Sequence, residues 1–232
     1  MPLSKQRALA KDMGLSDGEE KGPVIAVDGP AASGKGSIAR ALAKHFGLPH
    51  MDTGLLYRAV ALNLWRWGGD PGNEFEALRA CEGLGSVADD PELRSEAVSK
   101  IASMISAYPG VRAALLKRQQ DFACQDGGAV LDGRDIGTVV APKANVKLFV
   151  TASPEVRAQR RLRELEDRGM HAHYEDVLAD IHGRDARDSG RQVAPLRPAP
   201  DALLLDTSGL SLDQAITEAL RLADERLARA DS

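Results

Sequence analysis

The chain has 232 residues, 43% of them apolar and 28% charged, with a formal charge of −4. That is long enough to bury a core without a metal or disulfide staple, and it lacks the basic excess of a non-specific nucleic-acid binder. Apolar runs such as Leu203-Leu204-Leu205 fall far short of the ~18 residues of a membrane span.

Residues 1–22 are polar and aperiodic, end in Gly-Glu-Glu-Lys-Gly, and read as a tail. Pro23–Asp28 is a short apolar run stopped by Gly-Pro, the pattern of a buried strand. Ile38, Leu42 and Phe46 predict a helix from Lys35 to Phe46, closed by Gly47. Leu48–Met51 reads as a brief second strand, and a helix runs from Gly54 to Trp67, stopped by Gly68-Gly69. Gly68 to Glu92 reads as mostly irregular. Asp90-Pro91 supplies a cap and a first-turn proline, predicting one helix that reaches Ala107. Another runs from about Gly110 to Cys124.

Ala129–Asp132 and Val146–Val150 resume the sheet. Ser153-Pro154 opens a helix ending near Gly169, and a further helix spans about Tyr174 to Arg187. Ala202–Asp206 is the last strand. Ser211-x-x-Gln214 is a capping box for a final helix in which Leu212, Ile216, Leu220 and Leu227 share a face. Strands alternate with helices, so the expected fold is α/β, a parallel five-stranded sheet with helices on both faces.

Gly29-Pro30-Ala31-Ala32-Ser33-Gly34-Lys35 leaves the first strand and opens the first helix, which is the setting of a P-loop. Its glycines let successive N–H groups turn inward toward phosphate oxygens. The helix N-terminus adds its positive end, and Lys35 reaches the β- and γ-phosphates. Gly36 displaces the usual hydroxyl by one place, to Ser37. Residues 29–37 therefore form the expected ATP cradle, with Ser37 as a metal-side oxygen. A small GTP switch is excluded, because Asn145-Val-Lys-Leu is not a guanine motif and Asp206-Thr-Ser-Gly209 sits at the last strand. Kinases of small acceptors and an ATP-binding module without turnover stay open on the loop alone. Arginine outnumbers lysine 21 to 9, with nine arginines between Arg157 and Arg197. A planar fork of donors suits phosphate oxygens.

Four further segments narrow the choice. They are Asp52-Thr-Gly-Leu-Leu-Tyr-Arg58, Asp132-Gly-Arg-Asp-Ile-Gly-Thr138, Arg184-Asp-Ala-Arg-Asp-Ser-Gly-Arg191 and Ala194-Pro-Leu196. With the P-loop they resemble the bacterial cytidylate kinases, in order, from about Pro23 to the C-terminal helix. The resemblance implies a single P-loop kinase domain over 23–232, with a small acceptor-binding insert at about 68–112 and a short lid at about 157–191. The family's insert is usually larger and carries a small β-sheet. ATP and CMP or dCMP are the implied partners, and Mg²⁺ the implied cofactor.

The resemblance also implies residue roles. Arg58, Arg134 and Arg191 hold the CMP α-phosphate, and Arg184 and Asp188 the ribose hydroxyls. Ser103, Arg112 and Asp135 read cytosine, and Thr53 is a further contact. Asp132, at a strand end beside the P-loop strand, is expected near Mg²⁺. Arg160, Arg161 and Arg163 are candidates to neutralise transferred phosphate. The expected catalytic set is thus Lys35, Asp132, Arg134, Arg160 and Arg161. His171 and His173 lack an accompanying acid or cysteine cluster and are not read as a metal site. Cys81 and Cys124 are too few for a disulfide framework. Lys5, Arg7 and Lys11 precede no apolar stretch, so no secretory signal is read. A cytoplasmic monomer without nucleic-acid or membrane partners is the expectation.

Overall fold

The first strand, β1 (Val24–Asp28), is buried along nearly its whole length and lies at the centre of a sheet of five parallel strands. β3 (Ala129–Gly133) pairs with it on one side and β4 (Val146–Thr151) on the other. β2 (His50–Asp52) and β5 (Leu203–Asp206) form the edges, giving the order β2-β3-β1-β4-β5. This computed structural model describes residues 22–84 and 90–230. The expected tail, apart from Gly22, lies outside the described residues.

Both faces of the sheet are covered, as the unbroken apolar strands require. Alternate residues of β1 point to opposite sides. Ile25 and Val27 pack with α1 (Lys35–Phe46) and the final helix α8 (Leu212–Ala230), while Ala26 packs with α5 (Pro109–Ala123) on the other face. Ile25, Val27, Ile38 and Leu42 are fully buried, each worth roughly 1.5–3 kcal/mol. α1 ends at Gly47, whose φ of 67° places it in the left-handed region that favours glycine. Leu48 N–H then donates to Ala43 O, and Pro49 has no N–H, so β2 starts at His50, later than the sequence pattern suggests.

After β2 comes α2 (Thr53–Arg66), which packs with α3 (Glu74–Arg79) and α4 (Glu96–Ile105) around a core including Leu56, Val60, Leu64, Ala77, Val98 and Ile105. The stretch read as mostly irregular holds one short helix, α3, because Asn73 and Glu76 form a reciprocal start. Asn73 Oδ1 accepts from Phe75 N–H at 3.0 Å, and Glu76 Oε1 accepts from Asn73 Nδ2 at 3.1 Å. One expectation is corrected here: the single helix predicted from Pro91 to Ala107 is broken in two. Pro91–Arg94 is a 3₁₀ turn, and Ser95 turns out to extended ψ (155°) and caps α4 by accepting from Val98 N–H at 3.3 Å.

β3 leads into a π-helical turn, Ile136–Val140, which the sequence pattern did not signal. β4 leads into α6 (Pro154–Asp167), and α7 (Tyr174–Ser189) folds back on it. Ala158, Leu165, Val177 and Ile181 make a small core between these two, and Ala31 and Ala32 of the P-loop pack against it. Arg157 rivets the hairpin with a bidentate pair to Asp185, at 2.9 and 2.5 Å. The capping box of α8 forms as expected, Ser211 and Gln214 exchanging hydrogen bonds of 2.9 and 3.2 Å.

Candidate active site

Parallel strands present their carboxyl ends along one edge, where α/β sheets hold ligands. Here β1 delivers the P-loop, β2 delivers Asp52 and Thr53, and β3 delivers Asp132 to Asp135 into one cavity of about 470 Å³. A volume of that size suits a small organic ligand.

Gly29 can only be glycine, since a Cβ there would stand 2.0 Å from Val150 O of the neighbouring strand. Gly34, at φ 89°, turns the chain into α1. Ala32 also holds a left-handed φ of 58°. That backbone strain in a non-glycine residue is of the sort stored at ligand-binding loops. Lys35 Nζ donates to Pro30 O at 3.3 Å. Burial, reinforced by Arg134, pushes its pKa down to about 8 against the pull of Asp132, Asp52 and Asp188. A partly buried ammonium held at the mouth of a helix favours an anion beside it.

Opposite the loop, Asp132 is buried, with its backbone anchored by Thr53 Oγ1, which donates to Asp132 O at 2.8 Å. Gly133 permits this approach, because a Cβ there would lie 2.6 Å from Thr53 Oγ1. Asp28 closes the arrangement from beneath. Its carboxylate accepts from Ile136 N–H at 2.8 Å and Gly137 N–H at 2.7 Å, tying the end of β1 to the segment that carries Arg134 and Asp135. Burial raises the Asp28 pKa to about 6, partly offset by those two N–H groups.

Three groups of charge line the acceptor side. Arg112 and Asp135 form a buried ion pair, with Arg112 also donating to Ser106 O at 3.2 Å. Asp188 stands between Arg134, whose Nε donates to it at 2.7 Å, and Arg191, whose Nη2 also donates to Ser106 Oγ at 2.9 Å. Burial works to raise the Asp188 carboxyl, but Arg134 and Arg191 overcome it and hold it below the usual range. Arg58 is partly buried near Arg184, Arg161 and Arg94. Burial first, and then those three cations, push its pKa down to about 10 despite Asp52. Guanidiniums that lower one another favour an anion among them.

The cavity therefore gathers Lys35, Gly36, Thr53, Arg58, Ser103, Arg112, Asp132, Arg134, Asp135, Arg161, Arg184, Asp188 and Arg191 from the expected set. The two lid arginines separate. Arg161 lines the cavity and pairs with Glu96 of α4, whereas Arg160 is not among the lining residues and donates to Thr207 Oγ1 and Thr207 O at 2.9 and 2.7 Å and to Ser33 O of the P-loop at 3.4 Å. Ser37 Oγ accepts from Arg40 Nη2 at 3.1 Å, and Ser103 Oγ accepts from Arg187 Nε at 3.3 Å. Sequence reasoning missed Asp28, His50, Glu96, Ser99 and Ser106. Asp28 carried a signal, an acid closing a buried strand just before Gly-Pro. The others are visible only once strands and helices are brought together.

A phosphate-cradling loop facing a polar cavity lined with arginines from five further segments defines a P-loop phosphotransferase. The family model described as cytidylate kinase matches residues 25–225. A cytidylate kinase from Xanthobacter autotrophicus is 57% identical over 88% of this chain and 99% of its own length. One from Caulobacter vibrioides is 52% identical over 90% and 98%, and one from Granulibacter bethesdensis 54% over 89% and 99%. The chain belongs to the cytidylate kinase family. An uncharacterized protein of solved structure from Eubacterium ventriosum, 15% identical, aligns over 88% of this chain and 99% of its own with a TM-score of 0.54, a likeness of fold alone.

Proposed function

We propose that this protein transfers the γ-phosphoryl group of ATP to CMP or dCMP, giving ADP and CDP or dCDP. The observation that carries the reading is a single cavity with Lys35 of the P-loop on one wall and the Arg112–Asp135 pair on the other. An Asp carboxylate accepts from cytosine's exocyclic amine, and a guanidinium donates to its carbonyl and ring nitrogen. Lysine and the α1 N-terminus hold the donor phosphates. Arg58, Arg134 and Arg191 hold the acceptor phosphate, Arg184 and Asp188 the ribose, and Ser103 and Thr53 complete the pocket. Arg161, inside the cavity, neutralises the transferred group, while Arg160, bonded to Ser33 O and Thr207, steadies the P-loop backbone.

The chemistry is direct. An oxygen of the CMP phosphate bonds to the γ-phosphorus as the bond to the β–γ bridging oxygen breaks, and ADP leaves with that electron pair. Acceleration comes from positioning and charge neutralisation, so no protein nucleophile is needed. The donors near the P-loop fit Mg²⁺, because Asp132 and Ser37 offer only oxygen and Asp132 Oδ2 would lie 3.8 Å from a Cβ on Gly36. Mg²⁺, when bound, screens the β- and γ-phosphate charge. The insert at about 68–112 and the hairpin of α6 and α7 act as acceptor-binding wall and lid.

No helix among the described residues is long and apolar enough to cross a membrane. Cys81 and Cys124 are both free thiols, and a reducing cytoplasm suits them. A monomer binding only nucleotides is the assembly we propose. Measuring ADP release with CMP, dCMP, UMP, AMP and shikimate tests the function. Turnover with CMP and dCMP well above the rest is expected, and turnover with UMP alone, or none with any acceptor, would overturn it.

A further inference from the structure

Asp132 is held at two points, and one of them comes from a residue outside the machinery described so far. His50 opens β2 and its Nε2 stands 2.8 Å from Asp132 Oδ1. The imidazole is largely buried, at 17% exposure, and the Asp132 side chain more so, at 5%. Thr53 fixes the backbone of Asp132 from the same edge of the cleft. The remaining carboxylate oxygen, Oδ2, faces Gly36 at the first turn of α1, the end of the P-loop.

We propose that His50 is a positioning residue for phosphoryl transfer, donating its Nε2 hydrogen to Asp132 Oδ1 so that Oδ2 is presented to the Mg²⁺ that accompanies ATP. This rests on the function proposed above. The χ2 torsion of aspartate is broad and nearly two-fold, so a carboxylate without a fixed partner points its oxygens in many directions. An ionised carboxylate only accepts, which puts the hydrogen on Nε2 and leaves Nδ1 for other contacts. Partners of this kind around metal-serving carboxylates are typically worth ~10–100-fold in metal affinity. The arrangement draws on β2 and β3, whose parallel register sets His50 opposite Val130 and Asp52 opposite Asp132. The histidine therefore reaches diagonally along one face of the sheet.

Three variants test the inference. His50→Phe keeps a ring and loses the donor, and His50→Leu replaces it should the phenylalanine protein not fold. His50→Gln keeps an N–H donor near the same place. Two quantities are read for each: the Mg²⁺ concentration giving half-maximal turnover at saturating ATP and CMP, and Mn²⁺ affinity in the presence of a non-hydrolysable ATP analogue, followed by electron paramagnetic resonance without turnover. The apolar variants should weaken both by ~10–100-fold while the KM for CMP and the analogue's metal-free binding stay near wild type. The glutamine variant should recover most of the loss. Wild-type metal dependence in the apolar variant, a glutamine variant as defective as it, or a loss of analogue binding equal with and without metal would each overturn the role. Should the wild type fail to phosphorylate CMP, the functional reading falls, while the Mn²⁺ titration still decides His50.

Discussion

The Arg112 guanidinium and the Asp135 carboxylate, 23 residues apart in the chain, close on each other inside the protein, and both are over nine-tenths buried. Burial works to lower the Arg112 pKa, but Tyr57 and Asp135 outweigh it, so the arginine stays charged. A buried pair of this kind commits two opposite hydrogen-bonding characters to fixed positions. Uracil, with a carbonyl where cytosine has an amine, sets acceptor against acceptor at Asp135. We expect CMP over UMP in kcat/KM by ~10², below the ~10⁴ of a fully dry site.

Asp135→Asn makes the base-reading prediction sharper than an alanine would, since asparagine keeps an oxygen to accept from the buried Arg112 and alanine does not. An amide can donate to the uracil carbonyl. The variant should lose CMP activity by at least about tenfold and compress the CMP/UMP ratio. Equal falls for the two acceptors would assign Asp135 to holding structure.

Lys35→Met should lose more than ~1.4 kcal/mol of transition-state stabilisation, over tenfold in turnover, with its fold intact. Its pKa is depressed to about 8 by burial and by Arg134. The stability this group contributes is therefore present above its unfolded value and already lost near neutrality, so the methionine variant should melt no lower than wild type at pH 7. Phosphates raise the lysine pKa, and ATP binding near pH 8 should draw in up to about half a proton. Calorimetry in buffers of different ionisation enthalpy reads this uptake, which should vanish in Lys35→Met. Identical uptake in both proteins would refute the assignment.

Asp28 yields a prediction on pH. Its folded pKa of about 6 lies above the ordinary 3.8, so the folded protein keeps the proton where the unfolded chain has released it. That contribution favours the fold below about pH 4 and is lost as pH rises through 6. The gap between folded and unfolded values corresponds to about 3 kcal/mol. Asp28→Asn cannot ionise. Its stability to urea should fall less between about pH 4.5 and 7.5 than that of wild type. Parallel pH dependences would mean that Asp28 does not titrate in this range.

Ser95→Ala should cost about 1 kcal/mol by uncapping α4 at Val98 N–H. It should also raise the KM for CMP more than that for ATP, because α4 carries Ser103. A change in ATP affinity alone would contradict the placing of α4 on the acceptor side.

What could be read from the chain followed the range of the interaction. Gly29 to Lys35 betrayed itself because a P-loop is local, with every backbone turn specified within seven residues. Gly47 and the Ser211–Gln214 box were legible for the same reason. The break at Ser95 was missed because Asp90-Pro91 is also a valid helix start, and two caps in close succession compete. The Asn73–Glu76 start was overlooked amid glycines.

Pairings across the sheet are a different matter. His50 meets Asp132 from 82 positions away, and Asp28 meets Gly137 from 109. Strand order and register decide such contacts, and neither is written in any local spacing. The division of labour between Arg160 and Arg161 is of the same kind. Adjacent on a helix, they diverge by about 100°, so only the packing of α6 tells which one enters the cleft.

The cleft wall holds eight lysines and arginines and eight aspartates and glutamates. Arg134 and Arg191 already share Asp188 as an internal counter-anion. On the proposed function, an arriving phosphate acts as in ion exchange, displacing a resident carboxylate rather than settling on bare charge. Cytidine, bringing no anion, leaves Asp188 in possession of both guanidiniums and gains only its base contacts. The phosphate is thus admission ticket as well as reactant, and a chain of net charge −4 meets its polyanionic ligands with cations gathered in one cleft.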